Sequence, residues 1–237
     1  NRAEAKGNIS WIDQDSVFIY TDFGEGTMTS SGYPRIAKLW RRGQPLNEAE
    51  IVYEGTVDDM YIGAMHDDTP GFERNFVQRT LAFYNDELYL RSDDGELKKV
   101  DAPNSANKNV SKDYLLLELR EPWNVGGVGY QAGSLLVTKF DDFMAGKKSF
   151  EIVFEPTENS SLASYTLTRN HLILNVLEDV KNRIYVMTAT DLGWQKQPLT
   201  GAPEIGTVGL RAVDADESDA YWMTSSGYLT PTTLYYG

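Results

Sequence analysis

The stretch Ser111-Lys-Asp-Tyr-Leu-Leu-Leu117 joins a polar turn to a run of apolar residues. The same pattern, a polar turn followed by apolar residues, recurs at Asp13-Gln-Asp-Ser-Val-Phe-Ile19, Thr168-Arg-Asn-His-Leu-Ile-Leu174 and Glu217-Ser-Asp-Ala-Tyr-Trp-Met223. Apolar residues follow a period of two almost everywhere, which is typical of β-strands, whereas a helical period is weak. The chain is therefore predicted to contain several copies of one β-unit.

Each copy begins with another short strand, and these first strands start at regular intervals. They begin near Ile9, Met60, Asn109, Leu162 and Thr207. A four-stranded unit repeating at roughly 40–50 residues is typical of a β-propeller blade. We predict an all-β fold, a β-propeller of about five four-stranded blades with the last one incomplete. A sandwich or barrel is the alternative, although neither requires a repeat.

Two local patterns refine this prediction. Tyr114-Leu-Leu-Leu-Glu-Leu119 and Leu172-Ile-Leu-Asn-Val-Leu177 are nearly continuous apolar runs, which indicates strands buried on both faces of their sheets. Lys139-Phe-Asp-Asp-Phe-Met-Ala145, followed by Gly146, predicts one or two helical turns within a loop.

Composition narrows the class of protein. The 237 residues carry 22 Lys plus Arg and 35 Asp plus Glu, a formal charge of −13, which argues against a nucleic-acid partner because phosphate binding needs clustered cations. No apolar run approaches the roughly 18 residues that cross a bilayer, so no membrane partner is predicted. We expect a soluble protein of the cytoplasm or the periplasm. The chain has no cysteine, which excludes disulfides and thiolate metal sites.

Catalytic motifs are scarce. His66 and His171 are the two histidines, no Gly-x-Ser-x-Gly occurs, and neither a catalytic residue nor a metal site or cofactor is predicted. Paired carboxylates are the open alternative, because propellers host glycosidase sites with two acids roughly 5–10 Å apart. Glu118 and Glu178 are among the few acids within or just after strands, whereas solvated turns explain most of the others.

Arginines beside β-segments are the candidate substrate-binding residues. A guanidinium that points inward can hold a peptide carboxylate by two parallel hydrogen bonds. The alternative role of each arginine is ion pairing between blades. Trp123 joins the candidates because it flanks the Gly126-Gly127 loop together with Tyr130. The predicted substrate-binding set is Arg74, Arg79, Arg120, Arg169 and Trp123.

Several segments resemble one known family. Pro34-Arg-Ile-Ala-Lys-Leu-Trp-Arg-Arg-Gly43, followed by Glu50-Ile-Val-Tyr-Glu-Gly55, is similar to the propeller domain of the prolyl oligopeptidase family of serine peptidases. Val213-Asp-Ala-Asp-Glu-Ser-Asp219 and Tyr228-Leu-Thr-Pro-Thr-Thr-Leu-Tyr235 resemble the last propeller segment of that family, especially its bacterial branch.

The resemblance implies a fold and a function. In this family a seven-bladed propeller without catalytic residues covers an α/β-hydrolase domain and admits only short peptides. Residues 1–237 would form a single partial propeller domain, and the hydrolase domain is expected after residue 237. The implied partners are that hydrolase domain and short peptides, and the chain alone is expected to be inactive. An interaction-only propeller and a free-standing five-bladed glycosidase are the alternatives, and exposed blade edges favour self-association.

Overall fold

The computed structural model describes residues 4–203 and 205–237. The chain divides into two compact units between Lys108 and Asn109, a division that falls inside the strand Asn107–Ser111. Five antiparallel sheets account for most of the described residues, the first four with four strands and the last with three. In every sheet each strand pairs with the one before it, so each sheet is a meander.

The first unit contains two of these sheets. A three-residue helix, Leu46–Glu48, precedes the fourth strand of the first sheet. The first sheet comprises β1 (Gly7–Trp11), β2 (Ser16–Thr21), β3 (Ile36–Arg41) and β4 (Glu50–Glu54). The second comprises β5 (Tyr61–Asp67), β6 (Arg74–Ala82), β7 (Asn85–Arg91) and β8 (Leu97–Lys99).

The second unit contains the other three sheets. The third sheet comprises β9 (Asn107–Ser111), β10 (Tyr114–Glu118), β13 (Leu135–Lys139) and β14 (Glu151–Phe154), with a hairpin of β11 (Trp123–Val125) and β12 (Val128–Tyr130) between β10 and β13. The fourth comprises β15 (Ser160–Leu167), β16 (His171–Glu178), β17 (Lys181–Thr190) and β18 (Gly193–Pro198). The fifth comprises β19 (Thr207–Ala212), β20 (Tyr221–Ser226) and β21 (Thr233–Tyr236).

The predicted repeat is confirmed. Every predicted first-strand start lies inside the first strand of a sheet or, for Met60, directly before it. The predicted short helix is also present as α1 (Phe140–Met144), which buries Phe140 and Phe143. Gly146 follows it with φ +95°, a conformation in which glycine is the favoured residue.

Alternation along the strands forms the core of the first unit. Phe18 and Tyr20 on β2 pack in one cluster with Leu39 on β3 and with Ile62 and Val77 of the second sheet. A strand places successive side chains on opposite faces, so these residues share the face that meets the neighbouring sheet. Each fully buried side chain of this kind stabilises the fold by about 1.5–3 kcal/mol.

Strand β16 shows why a run can be apolar without alternation. Leu172 and Leu174 pack with the third sheet, whereas Ile173 packs with Val208 and Met223 of the fifth. Both faces of the fourth sheet are therefore buried, as the continuous apolar run predicts.

Candidate functional site

The two ends of the sheets differ in chemistry. At one end of each sheet, the first strand turns into the second and the third strand turns into the fourth; we call this the polar-turn end. At the other end, the second strand leads to the third, and the last strand leads to the next sheet; we call this the apolar-tipped end. Among the described residues, seven apolar side chains in turns and connections are more than 60% exposed. Leu192 lies at the polar-turn end, and the apolar-tipped end carries Phe83, Tyr84, Val180, Ile205, Tyr228 and Leu229.

A carboxylate joins two turns at the polar-turn end of the second unit. Asp219, between β19 and β20, accepts hydrogen bonds from the Thr168 hydroxyl at 2.8 Å and from the Asn170 backbone N–H at 2.7 Å. The side-chain amide of Asn170 donates a third bond at 2.8 Å. Burial raises the pKa of Asp219, but these hydrogen bonds outweigh it and hold that pKa below its ordinary value. We call these three residues the Asp219 clamp.

Backbone contacts extend this connection to the third sheet. The Arg169 backbone N–H donates to the Ser218 carbonyl at 3.0 Å. Lys112, in the β9–β10 turn, donates from Nζ to the carbonyl oxygens of Arg169 at 2.8 Å and Ala215 at 3.2 Å. In each of the three sheets of this unit, the turn between the first and second strands is therefore hydrogen-bonded to the corresponding turn of a neighbouring sheet.

Both histidines have side-chain partners. His171 Nδ1 lies 2.9 Å from the Thr188 hydroxyl, and its Nε2 lies 3.9 Å from Asp219 Oδ2. His66 Nδ1 lies 2.9 Å from Asn75 Oδ1 across β5 and β6. The Thr188 and Asn75 contacts hold each ring within its own sheet, whereas the approach of His171 to Asp219 joins the fourth sheet to the fifth.

Arg79 sits in a buried ion-pair network of the first unit. Its Nη2 lies 2.9 Å from Oδ1 of Asp59, whose side chain is 3% exposed, and its Nη1 lies 3.4 Å from Glu87 Oε2. Asp59 Oδ2 accepts the Thr56 backbone N–H at 2.7 Å. Burial raises the pKa of Asp59, but the Arg79 and Thr56 hydrogen bonds outweigh it, so the pKa lies below its ordinary value. Arg79 thus stabilises its sheet, and its role in substrate binding stays a prediction.

The other predicted substrate-binding residues are spread over both ends of their sheets. Arg74 begins β6 at the polar-turn end, five residues and about 17 Å of strand from Arg79. Arg169 lies in the β15–β16 turn, also at the polar-turn end, and donates to the Glu217 carbonyl at 3.2 Å. Arg120 and Trp123 lie in the β10–β13 connection, at the opposite end. The candidates of each unit are thus divided between its two ends, with Arg120 and Trp123 in one connection, and the binding role of all five stays a prediction.

The glycosidase alternative needs two carboxylates that face one cavity, and the described residues do not show such a pair on the first strands of the sheets. The first strands of the five sheets contain one carboxylate, Asp67, whose Oδ1 accepts the Thr69 backbone N–H at 3.1 Å. Glu178 Oε1 accepts the Tyr185 hydroxyl at 3.0 Å, and Glu118 ends β10 of a different sheet. No cluster of three or more His, Asp or Glu side chains suited to a metal ion occurs in residues 4–203 and 205–237.

An aromatic pocket of about 790 Å³ lies at the apolar-tipped end of the first unit. The Tyr61 ring meets both Tyr33 and Tyr20 edge to face, with ring centroids 6.2 Å and 5.6 Å apart. Burial, together with the neighbouring Tyr20 hydroxyl, raises the pKa of Tyr61, which keeps it neutral. Phe83 forms the rim, and Lys6 Nζ lies 3.9 Å from the centre of the Tyr33 ring. Sequence reasoning missed this pocket because its residues come from separate strands and connections.

Gly7 shows how closely the strands meet beside this pocket. A Cβ atom at that position would lie 2.5 Å from the Tyr20 carbonyl oxygen. Glycine therefore lets β1 approach β2 where the pocket wall begins.

None of the helices found in the described residues is long enough to cross a membrane, since the longer has five residues.

Comparison with known proteins shows which proteins the chain resembles. A family model described as the prolyl oligopeptidase N-terminal β-propeller domain matches residues 130–237. An uncharacterized peptidase of Sinorhizobium fredii is 28% identical over 98% of this chain and 33% of its own length. An uncharacterized peptidase of Rickettsia prowazekii is 24% identical over 95% of this chain and 32% of its own length.

Solved structures agree with these matches. The structure of a post-proline cleaving enzyme from Rickettsia typhi superposes with a TM-score of 0.87 at 24% identity, covering 97% of this chain and 34% of that enzyme. The chain thus spans about a third of the length of the relatives it matches. Five meander sheets, the family model over residues 130–237 and this superposition confirm the predicted propeller and the predicted resemblance to the N-terminal β-propeller domain of the prolyl oligopeptidase family.

Proposed function

We propose that this chain is the non-catalytic propeller of a prolyl-oligopeptidase-like serine peptidase. Its role would be to restrict access to an α/β-hydrolase domain of the same parent protein, so that short peptides reach the catalytic centre and folded proteins do not. The relatives support this proposal, because the chain covers only a third of proteins that are named peptidases.

The distribution of exposed apolar side chains carries the proposal. Six of the seven most exposed ones in turns and connections project from the apolar-tipped end, in both units. Exposed apolar surface marks interaction sites when it is concentrated rather than scattered. A domain that packs on these tips would remove Val180 or Leu229 from water, and each would contribute about 25 cal/mol per Å² buried.

The interior of the sheets supports a role as a rigid cover. The fourth sheet is buried on both faces by the third and fifth, so its strands cannot bend aside without exposing Leu172 or Ile173. Close-packed interiors resist deformation. A cover built in this way excludes large substrates by shape, whereas a flexible loop would yield to them.

The test starts from the gene in which the chain is encoded. We expect its reading frame to encode a hydrolase domain with Gly-x-Ser-x-Gly and an Asp and a His that follow it. The encoded protein should cleave a five-residue proline peptide and leave the same sequence intact within a folded protein. A parent without a hydrolase domain would contradict the proposal and favour an interaction-only propeller.

A matched pair of variants tests the role of the apolar tips. Leu229→Glu places a charge at the apolar-tipped end, and Leu192→Glu places the same charge on an equally exposed leucine at the polar-turn end. We expect the first to increase cleavage of long unfolded substrates by the parent protein and the second to leave it unchanged. Equal effects of the two variants would show that the tips do not contact the hydrolase domain. Hydrolysis of proline peptides by the chain alone would contradict its assignment as non-catalytic.

A further inference from the structure

The aromatic pocket has a charge character that is unusual for this chain. Its ten lining residues include one ammonium group, that of Lys6, and no carboxylate, although the chain carries a formal charge of −13. An anionic group can therefore approach Lys6 without meeting a like charge from the pocket wall. The contact of Lys6 with the Tyr33 ring is a cation–π contact, which is weaker than an ion pair with a carboxylate. The ammonium group can therefore still donate hydrogen bonds to an anion.

The remaining walls suit a flat apolar group. Tyr33 and Tyr61 contribute rings, Pro34 and Met60 add aliphatic surface, and Phe83 on the rim is 85% exposed. An aromatic side chain this exposed gains burial when a ligand covers it. The volume of about 790 Å³ lies within the usual range of small-ligand pockets, about 300–1,000 Å³.

We propose that this pocket binds the C-terminal residue of a short peptide. The apolar side chain of that residue, a proline or an aromatic, would lie against Tyr33 and Phe83, and its free carboxylate would pair with Lys6. Hydrolysis of an internal peptide bond breaks the C–N bond, and water supplies OH to the new carboxyl group and H to the new amine. The pocket would thus favour a cleaved product over an internal segment of uncleaved chain. This inference rests on the proposed function only for the source of the peptide.

The first experiment measures the carboxylate preference on the chain by itself. The probes are acetyl-Ala-Pro with a free carboxylate and the same dipeptide as its C-terminal amide, titrated by calorimetry. We expect the carboxylate form to bind about three- to five-fold more tightly, the upper part of the range for a solvent-exposed ion pair. Lys6→Gln should abolish this preference, whereas Lys98→Gln, at an exposed lysine of β8 outside the pocket, should retain it. Equal binding of the two probes by the unaltered chain would overturn the proposal.

The second experiment locates the peptide. Phe83→Ser removes a wall of the pocket, and Tyr84→Ser removes the neighbouring exposed ring, which does not line it. We expect Phe83→Ser to weaken binding of the free-carboxylate probe about ten-fold and Tyr84→Ser to change it less than two-fold. Amide chemical shifts should move at Lys6, Tyr33, Tyr61 and Phe83 when the probe is added. Shifts confined to Arg74, Arg120 or Arg169 would instead place the peptide at the arginines predicted from the sequence.

These measurements need no hydrolase domain, so they separate the two proposals. If the chain binds the probe but its parent lacks peptidase activity, the pocket assignment stands and the proposed function fails. If the parent selects short peptides but the chain shows no carboxylate preference, the proposed function stands and the pocket assignment fails.

Discussion

The polar-turn end of the second unit and the apolar-tipped end of the first are held together in different ways. At the first, Asp219 and Lys112 link exposed turns through hydrogen bonds to backbone and side-chain groups. At the second, the ion pair of Arg79 with Asp59 is largely buried beside the aromatic pocket. The first region is therefore held by hydrogen bonds near the solvent, and the second by a charged pair that is largely removed from water. Because burial differs, we expect substitutions in the two regions to change the free energy of unfolding by different amounts.

The largest effect is expected from breaking the buried pair. Arg79→Met would leave Asp59, 3% exposed, without its guanidinium, and an uncompensated buried charge costs about 3–5 kcal/mol. We expect a loss near the lower limit, about 3 kcal/mol in the free energy of unfolding, because the Thr56 backbone N–H still donates to Asp59. Urea denaturation followed by circular dichroism measures it.

The matched control is an ion pair on the surface. Arg42 and Asp15 are each 64% exposed, so Arg42→Met should change stability by less than about 1 kcal/mol. Similar losses for the two methionine variants would mean that the Arg79 network is not distinguished by its burial.

An intermediate effect is expected at the Asp219 clamp. Asp219→Asn preserves the shape of the side chain but removes its charge and one acceptor, and should cost about 1–2 kcal/mol because the site is partly solvated. The folded-state pKa of Asp219 lies below its unfolded value, so its contribution is present above about pH 4 and is lost as the pH falls through the folded-state pKa. The difference in unfolding free energy between the two proteins should therefore narrow as the pH falls from 7 to 3. A difference that stayed constant with pH would show that the carboxylate charge is not responsible.

The smallest effect is expected at the exposed tips. Leu229→Ser and Leu192→Ser alter side chains that are 99% and 93% exposed, so each should change the stability of the isolated chain by less than about 0.5 kcal/mol. Thermal unfolding checks this. A large loss for Leu229→Ser would indicate that this tip packs within the chain and is not available to a hydrolase domain.

The pattern of residues close together in the sequence predicted the architecture, because β-strands and their turns have characteristic local sequences. The period of two, the polar turns and the repeated strand starts all depend on residues close in sequence, as do Phe140–Met144 and Gly146. The family resemblance likewise rests on contiguous segments, so it could be stated without coordinates.

The candidate sites could not be predicted in the same way, because their partners are distant in sequence. Local sequence indicates Arg79 only as an arginine beside a strand, and it does not reveal that Asp59, twenty residues away, accepts a hydrogen bond from its guanidinium. Thr168 and Asn170 meet Asp219 from about fifty positions away. Neither pairing follows a local period that could reveal it.

Side-chain alternation and contiguous motifs were enough to predict the all-β fold, the number of repeated units and the family resemblance, because each of them depends on residues close together in the sequence. Which charges are paired, and which aromatic side chains surround a cavity, depends on how the sheets pack in three dimensions. Lys6, Tyr33, Tyr61 and Phe83 meet only after the strands of two sheets pack together. Packing sets burial, and burial determines whether a charge or a ring stabilises the fold or is available to a ligand.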